Sequence, residues 1–179
     1  MMEPKTYLTH PDIHEYRVFP TAQIPFSAAV VEACARNACG MYGKCWTCPP
    51  GVGTLEELAA RITAYPNALL VSYKYELEDS FDFEGMAEGH RRAKKAFSAM
   101  TDRMRSAGET FLAFGNEGCD LCAECTYPDA PCRFPDRASP AVEACGINVM
   151  QLAKDVGMRY NNGPNTVTYF CMVVFGNDG

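Results

Sequence analysis

Nowhere in the 179 residues do about 18 apolar side chains follow one another, so no membrane-spanning helix is expected. The opening Met1-Met2-Glu3-Pro4-Lys5-Thr6-Tyr7 lacks a basic stretch followed by an apolar one, which argues against a secretory signal. Basic residues are outnumbered: 16 Lys and Arg against 22 Asp and Glu leave a net charge of −6, without the basic footprint of a nucleic-acid-binding protein. Histidine is scarce, at 3 residues, and no nucleophile–histidine–acid arrangement is visible, which disfavours hydrolysis by that route. Gly51-Val52-Gly53 lacks the third glycine and the preceding strand of a phosphate loop, and Glu56 and Glu57 just behind it would compete with a phosphate for the helix N-terminus. The acidic run Glu78–Glu84 has no central glycine for a calcium loop, so it reads as a solvated turn. No repeat, low-complexity tract or linker divides the chain, and its length suits one domain with a real core.

Cysteine is what the chain has in excess, at 10 residues. Five disulfides would suit a small exported scaffold, which this is not; in a reducing cytoplasm the same count reads as metal ligands or redox thiols. The densest stretch is Gly118-Cys119-Asp120-Leu121-Cys122-Ala123-Glu124-Cys125, with Cys132 following in Pro131-Cys132-Arg133-Phe134-Pro135. A triple with two-residue gaps opens the bacterial ferredoxin run, whereas zinc sites more often use separated pairs. The spacing departs from the ferredoxin run at its end, because Cys132 comes six residues after Cys125 rather than three. Thiolate is a soft ligand that suits zinc, Cu(I) and iron–sulfur clusters alike, so the spacing points to metal first and iron second.

A second group precedes it: Cys34, Cys39, and the pair Cys45-Trp46-Thr47-Cys48 followed by Pro49-Pro50. The prolines restrict the chain just behind Cys48 and lower the entropy lost in fixing its thiolate. A free buried cysteine is also an ordinary small hydrophobe, so at least one of these four can be packing. Cys145 falls on an apolar stripe and Cys171 in the middle of an apolar run, and both read as core.

The pattern between the two cysteine loops (34–50 and 118–137) alternates helix and strand. Residues 1–27 form a proline-rich N-terminal arm with a possible edge strand at Tyr16–Phe19 and two solvated histidines, His10 and His14. Ser27 caps an alanine-rich helix to Ala38. Thr54 and Glu57 make a capping box for a helix over 55–64. Leu69–Leu77 alternates as a half-buried strand. A long helix over 84–107 carries Met86, His90, Ala93, Phe97, Met100 and Met104 on one stripe, and Arg91, Arg92, Lys94, Lys95, Arg103 and Arg105 elsewhere. A short strand over 109–115 leads into the second cysteine loop. Ser139-Pro140 starts another helix whose stripe runs Val142, Cys145, Val149, Leu152 and Val156, with Gly146 a break or close contact. Val167–Phe175 reads as a central strand. The sum is one α/β (α+β) domain, a mixed β-sheet of about four strands with packed helices and two cysteine-rich metal-binding loops.

Cys39-Gly40-Met41-Tyr42-Gly43, then Cys48-Pro49-Pro50, then Cys119-x2-Cys122-x2-Cys125 with Cys132, and Ser139-Pro140-x2-Glu143-Ala144-x-Gly146-Ile147-Asn148-Val149 together resemble the DUF2284 proteins. These are cysteine-rich, predicted metal-binding proteins of bacteria and archaea, common in anaerobes. The resemblance runs from about residue 34 to the last strand, and it implies a cytoplasmic metal protein, iron–sulfur by preference, without an assigned reaction. Cys39, Cys48, Cys119, Cys122, Cys125 and Cys132 match the family motif. Cys34 sits at a longer gap than the family pattern, and Cys45 and Cys145 stand where it does not require cysteine. The first group is thus left to bind a second cluster, to complete the first, or to bind nothing.

The expectation is a cytoplasmic protein with one or two [4Fe–4S] clusters, acting in electron transfer or as a redox accessory. Cys119, Cys122, Cys125 and Cys132 would hold one cluster; Cys34, Cys39, Cys45 and Cys48 would hold the other. The alternative is a zinc-stabilised interaction module without redox activity. A third reading is an enzyme in which one iron lacks a cysteine and takes substrate. The basic helix over 84–107 would dock an acidic redox protein, through charge complementarity that raises the on-rate.

Overall fold

The computed structural model describes residues 2–176, so Met1 of the expected arm and the last three residues of the expected domain lie outside it. Eight elements follow in chain order: β1 (Ile13–Pro20), α1 (Ala28–Ala35), α2 (Leu55–Thr63), β2 (Asn67–Glu76), α3 (Phe83–Ser106), β3 (Phe111–Phe114), α4 (Val149–Asp155) and β4 (Thr166–Phe175). The strands form one sheet in the order β1-β2-β4-β3. Four strands agree with the sequence pattern. All three pairings are antiparallel, however, where a mixed sheet was expected; the parallel contact is an isolated bridge from Gly115 to Ala141.

Strand β2 is buried on both faces rather than one, because each face meets a helical layer. Ala68 and Leu70 join Leu58, Ile62, Leu152, Met172 and Val174 under α2 and α4. Leu69, Val71 and Tyr73 point the other way, to Ala93, Phe97, Met100 and Met104 of α3. Its one hydroxyl on the first face, Ser72, is fully buried and accepts the N–H of Glu15 from β1, so no polar atom is stranded there. Pro20 closes β1 on the sheet edge, where a missing N–H costs nothing.

The N-terminal arm is held more firmly than its composition suggests. Met2 and Pro4 are buried, the Tyr7 hydroxyl donates to Glu109 at 2.8 Å, and Arg103 of α3 donates to Thr9 at 2.7 Å. His14 is exposed, as expected of a solvated histidine, though it lies in β1 and pairs with Asn162. The capping box at α2 is present in full: Thr54 accepts from Glu57 N–H, and Glu57 accepts from Thr54 N–H. The Ser139-Pro140 helix start is not. Those residues lie in a loop, Glu143–Cys145 is a single tight turn, and α4 begins after Asn148, whose side chain caps it. Gly146 makes the break. Its φ of +73° suits glycine, and a Cβ there would meet the side chains of Leu55 and Val31.

Candidate metal centre

Both cysteine loops are pinned at their ends and against each other. The second leaves β3 at Gly115 and returns at Pro140: Gly115 N–H donates to Pro140 at 2.8 Å, and Val142 N–H donates to Gly115 at 3.1 Å. This pinched neck holds residues 116–139 as a closed loop. The first is bound into itself by Tyr42 N–H to Asn37 Oδ1 (2.9 Å), Gly43 N–H to Pro49 (2.8 Å) and Val52 N–H to Cys48 (3.0 Å). It then runs directly into the capped start of α2.

Thr47 joins the loops. Its hydroxyl, on a side chain that is almost fully buried, accepts the N–H of Cys119 at 3.2 Å and lies 3.4 Å from the Cys45 sulfur. Trp46 adds a second clasp, donating from Nε1 to Ala130 at 3.0 Å and meeting Tyr127 edge-on with ring centroids 4.9 Å apart. Gly118 of the second loop also comes close to the first: a Cβ at that position would lie 3.4 Å from the Cys48 sulfur, an ordinary contact distance.

Cys119, Cys122, Cys125 and Cys132 line one small cavity of about 20 Å³, and Cys45 of the first loop lines it as well, with Trp46, Thr47 and Phe134 among its walls. The remaining thiols of the first loop gather around Cys48. Burial pushes that thiol up to about 12, and the hydrogen bond and charge of Cys45 add to the effect, followed by the charges of Cys39 and Cys34. Burial likewise raises Cys34, with Cys39 acting in the same direction. Cys119 is raised by burial, opposed by the N–H of Leu121 and reinforced by the charges of Cys132, Asp120 and Cys122. Cys45 takes part on both sides: it lines the cavity of the second loop and interacts with Cys48 of the first. Cys145 and Cys171 are fully buried in the two apolar cores, in keeping with the packing role read from the sequence.

Among the described residues, no three side chains of His, Cys, Asp or Glu stand close enough to grip a single metal ion. A zinc site draws every sulfur to about 2.3 Å from one centre.

The long helix braces this loop electrostatically. Lys94 bridges Glu117 at 2.8 Å and Asp120 at 2.7 Å, and His90 Nδ1 lies 3.2 Å from Glu117. Burial by itself would lower the Lys94 pKa, but the two carboxylates outweigh it, and the net shift is upward. Lys94 therefore stays an ammonium beside the thiols. Its neighbours on α3 are also engaged within the chain: Arg91 with Glu88, Arg92 with Asp12, Arg103 with Thr9 and Arg105 with Asp102. Cys132, Trp46 and Thr47 also line an open groove of about 530 Å³, together with Pro128, Pro131 and Arg61.

The model of a family described as a predicted metal-binding protein, DUF2284, matches residues 17–175. The chain belongs to that family. No curated protein and no solved structure matches it. For this DUF2284 chain, sequence spacing leaves out Thr47, Gly118 and the Lys94–Glu117–Asp120 bridge. Thr47 is one of the two residues between the cysteines of a C-x2-C pair, which the motif leaves unspecified, and nothing in linear order brings residue 94 to residues 117 and 120.

Proposed function

We propose that this metal-binding protein is a cytoplasmic iron–sulfur protein. In this reading Cys119, Cys122, Cys125 and Cys132 hold a [4Fe–4S] cluster, and Cys34, Cys39, Cys45 and Cys48 form a second ligand set. Its role would be electron transfer, alone or as the redox accessory of a larger system. The observation that carries the reading is the convergence of all four thiols of the second loop on one cavity. All 10 cysteines are free thiols, which fits a reducing compartment.

A bound cluster would supply one-electron chemistry at a potential set by hydrogen bonds to sulfur, net charge and solvent exposure. The chain's part would be to fix those three. The pinned loops hold the thiols, Thr47 and the Leu121 N–H offer donors to sulfur, and Lys94 places a positive charge nearby. Trp46 walls the cavity from the groove. Docking of an acidic partner on α3 is the weaker element of this proposal, since most of that helix's cations already hold acids or carbonyls of the same chain.

The test is a redox titration of protein purified without oxygen. A broad visible absorption that bleaches with dithionite and yields the paramagnetic signal of a reduced cluster is the expected result. A colourless protein that carries only zinc would replace the proposal with the interaction-module reading.

A further inference from the structure

The two cysteine groups touch each other, and the contact is specific. Cys119 sits in the second group and Cys45 in the first, and both bond to the same hydroxyl. Because Thr47 Oγ1 accepts the Cys119 N–H, its own proton remains free for the Cys45 sulfur. A metal-bound Cys45 is a thiolate with no proton of its own, so in the loaded protein the hydroxyl can only be the donor in that pair. Beside this bridge the backbone of Gly118 lies close to the Cys48 sulfur, which a Cβ at that position would meet at 3.4 Å. Cys45 faces the cavity of the second group while it interacts with Cys48 of the first.

We infer that the two ligand sets form one electronically continuous unit, two neighbouring clusters joined through Thr47, with Thr47 as the positioning residue that tunes the cluster bound by Cys45. This rests on the iron–sulfur reading above and adds to it the adjacency of the centres and the role of the hydroxyl. Such a two-centre unit would link the groove at Cys132 in the second group with the exposed Cys39 of the first.

The sign of the Thr47 effect follows from charge. Reduction adds an electron to the cluster, and a hydrogen bond donated to its sulfur stabilises the more negative form. Removing the donor lowers the potential.

The experiment is a potentiometric titration of anaerobically purified wild type, Thr47→Val and Thr47→Ser, followed by electron paramagnetic resonance, with iron and sulfide assayed on each. Iron and sulfide for two clusters per chain, resonances broadened or split when both are reduced, one midpoint lowered in Thr47→Val, and that midpoint restored in Thr47→Ser together support the inference. Two clusters whose spectra simply add, with midpoints that do not change in Thr47→Val, overturn it and leave the iron–sulfur reading standing. A single cluster per chain does the same. Zinc without iron removes both. Thr47→Ser keeps the hydroxyl with less bulk, so a Thr47→Val variant that fails to fold leaves the spin-coupling measurement on wild type to decide.

Discussion

At the scale of single residues, the cysteines divide by surroundings rather than by number. Cys122 lies on the cavity lined by the second loop's thiols, and Cys171 lies in a strand with no accessible surface. Cys122→Ser is therefore expected to lose the metal of the second group, read as iron per chain. Cys171→Ala should keep the metal and lose about 1–2 kcal/mol of stability, the usual cost of deleting one buried heavy atom, read from a urea midpoint. The apo protein also has a pH signature. Burial pushes Cys145 up to about 12 from an ordinary 9.0. Above pH 9 the unfolded chain gives up this proton first, so the folded state holds more protons and stability falls as pH rises. The loss is expected between pH 9 and 12, at roughly 1.4 kcal/mol per pH unit for this thiol. Urea midpoints of the reduced apo protein at pH 8, 9 and 10 check it; a midpoint constant across that range would contradict the buried thiol.

At the scale of elements, local signals were legible where the chain satisfies itself locally. The capping box of α2 and the apolar stripe of α3 needed only neighbours in sequence. The start of α4 did not, because Ser139-Pro140 is a sound helix opening that the neck of the second cysteine loop uses instead. The depth of β2 was likewise hidden: an alternating pattern gives two faces but not what covers each. One contact between α3 and the sheet is especially close. Gly89 packs on the Tyr75 ring of β2, and a Cβ there would fall 2.7 Å from Cδ2. Gly89→Ala gains about 1 kcal/mol of helix propensity. Overpacking against a buried ring costs about 1–3 kcal/mol, so the variant should be destabilised on balance. Because Lys94 lies on the same helix, the α3-to-loop bridge should loosen too. Lys94→Met, which keeps the apolar stem, should cost about 1–2 kcal/mol through two lost charge-assisted bonds on a partly exposed side chain, read as a lower thermal midpoint with the metal still bound.

At the scale of the whole molecule, the sheet and its two helical layers serve as a mount for the loops. The first loop is fixed at the start of α2, the second at the end of β3, and α3 braces the latter from the opposite face. Spacing alone suggested two groups of cysteines and metal as their ligand, since thiolate chemistry is written in residue type and gap, and the family match agrees on metal. It did not reveal that the groups abut, because Thr47 and Cys119 are far apart in sequence and neither carries a pattern that names the other. The most direct measurement on the central claim is the amount of iron, acid-labile sulfide and zinc per chain in protein prepared without oxygen. The account predicts iron and sulfide in equal amounts, lost together when Cys119 or Cys132 is replaced by serine, and little zinc. One zinc per chain with no sulfide would contradict it.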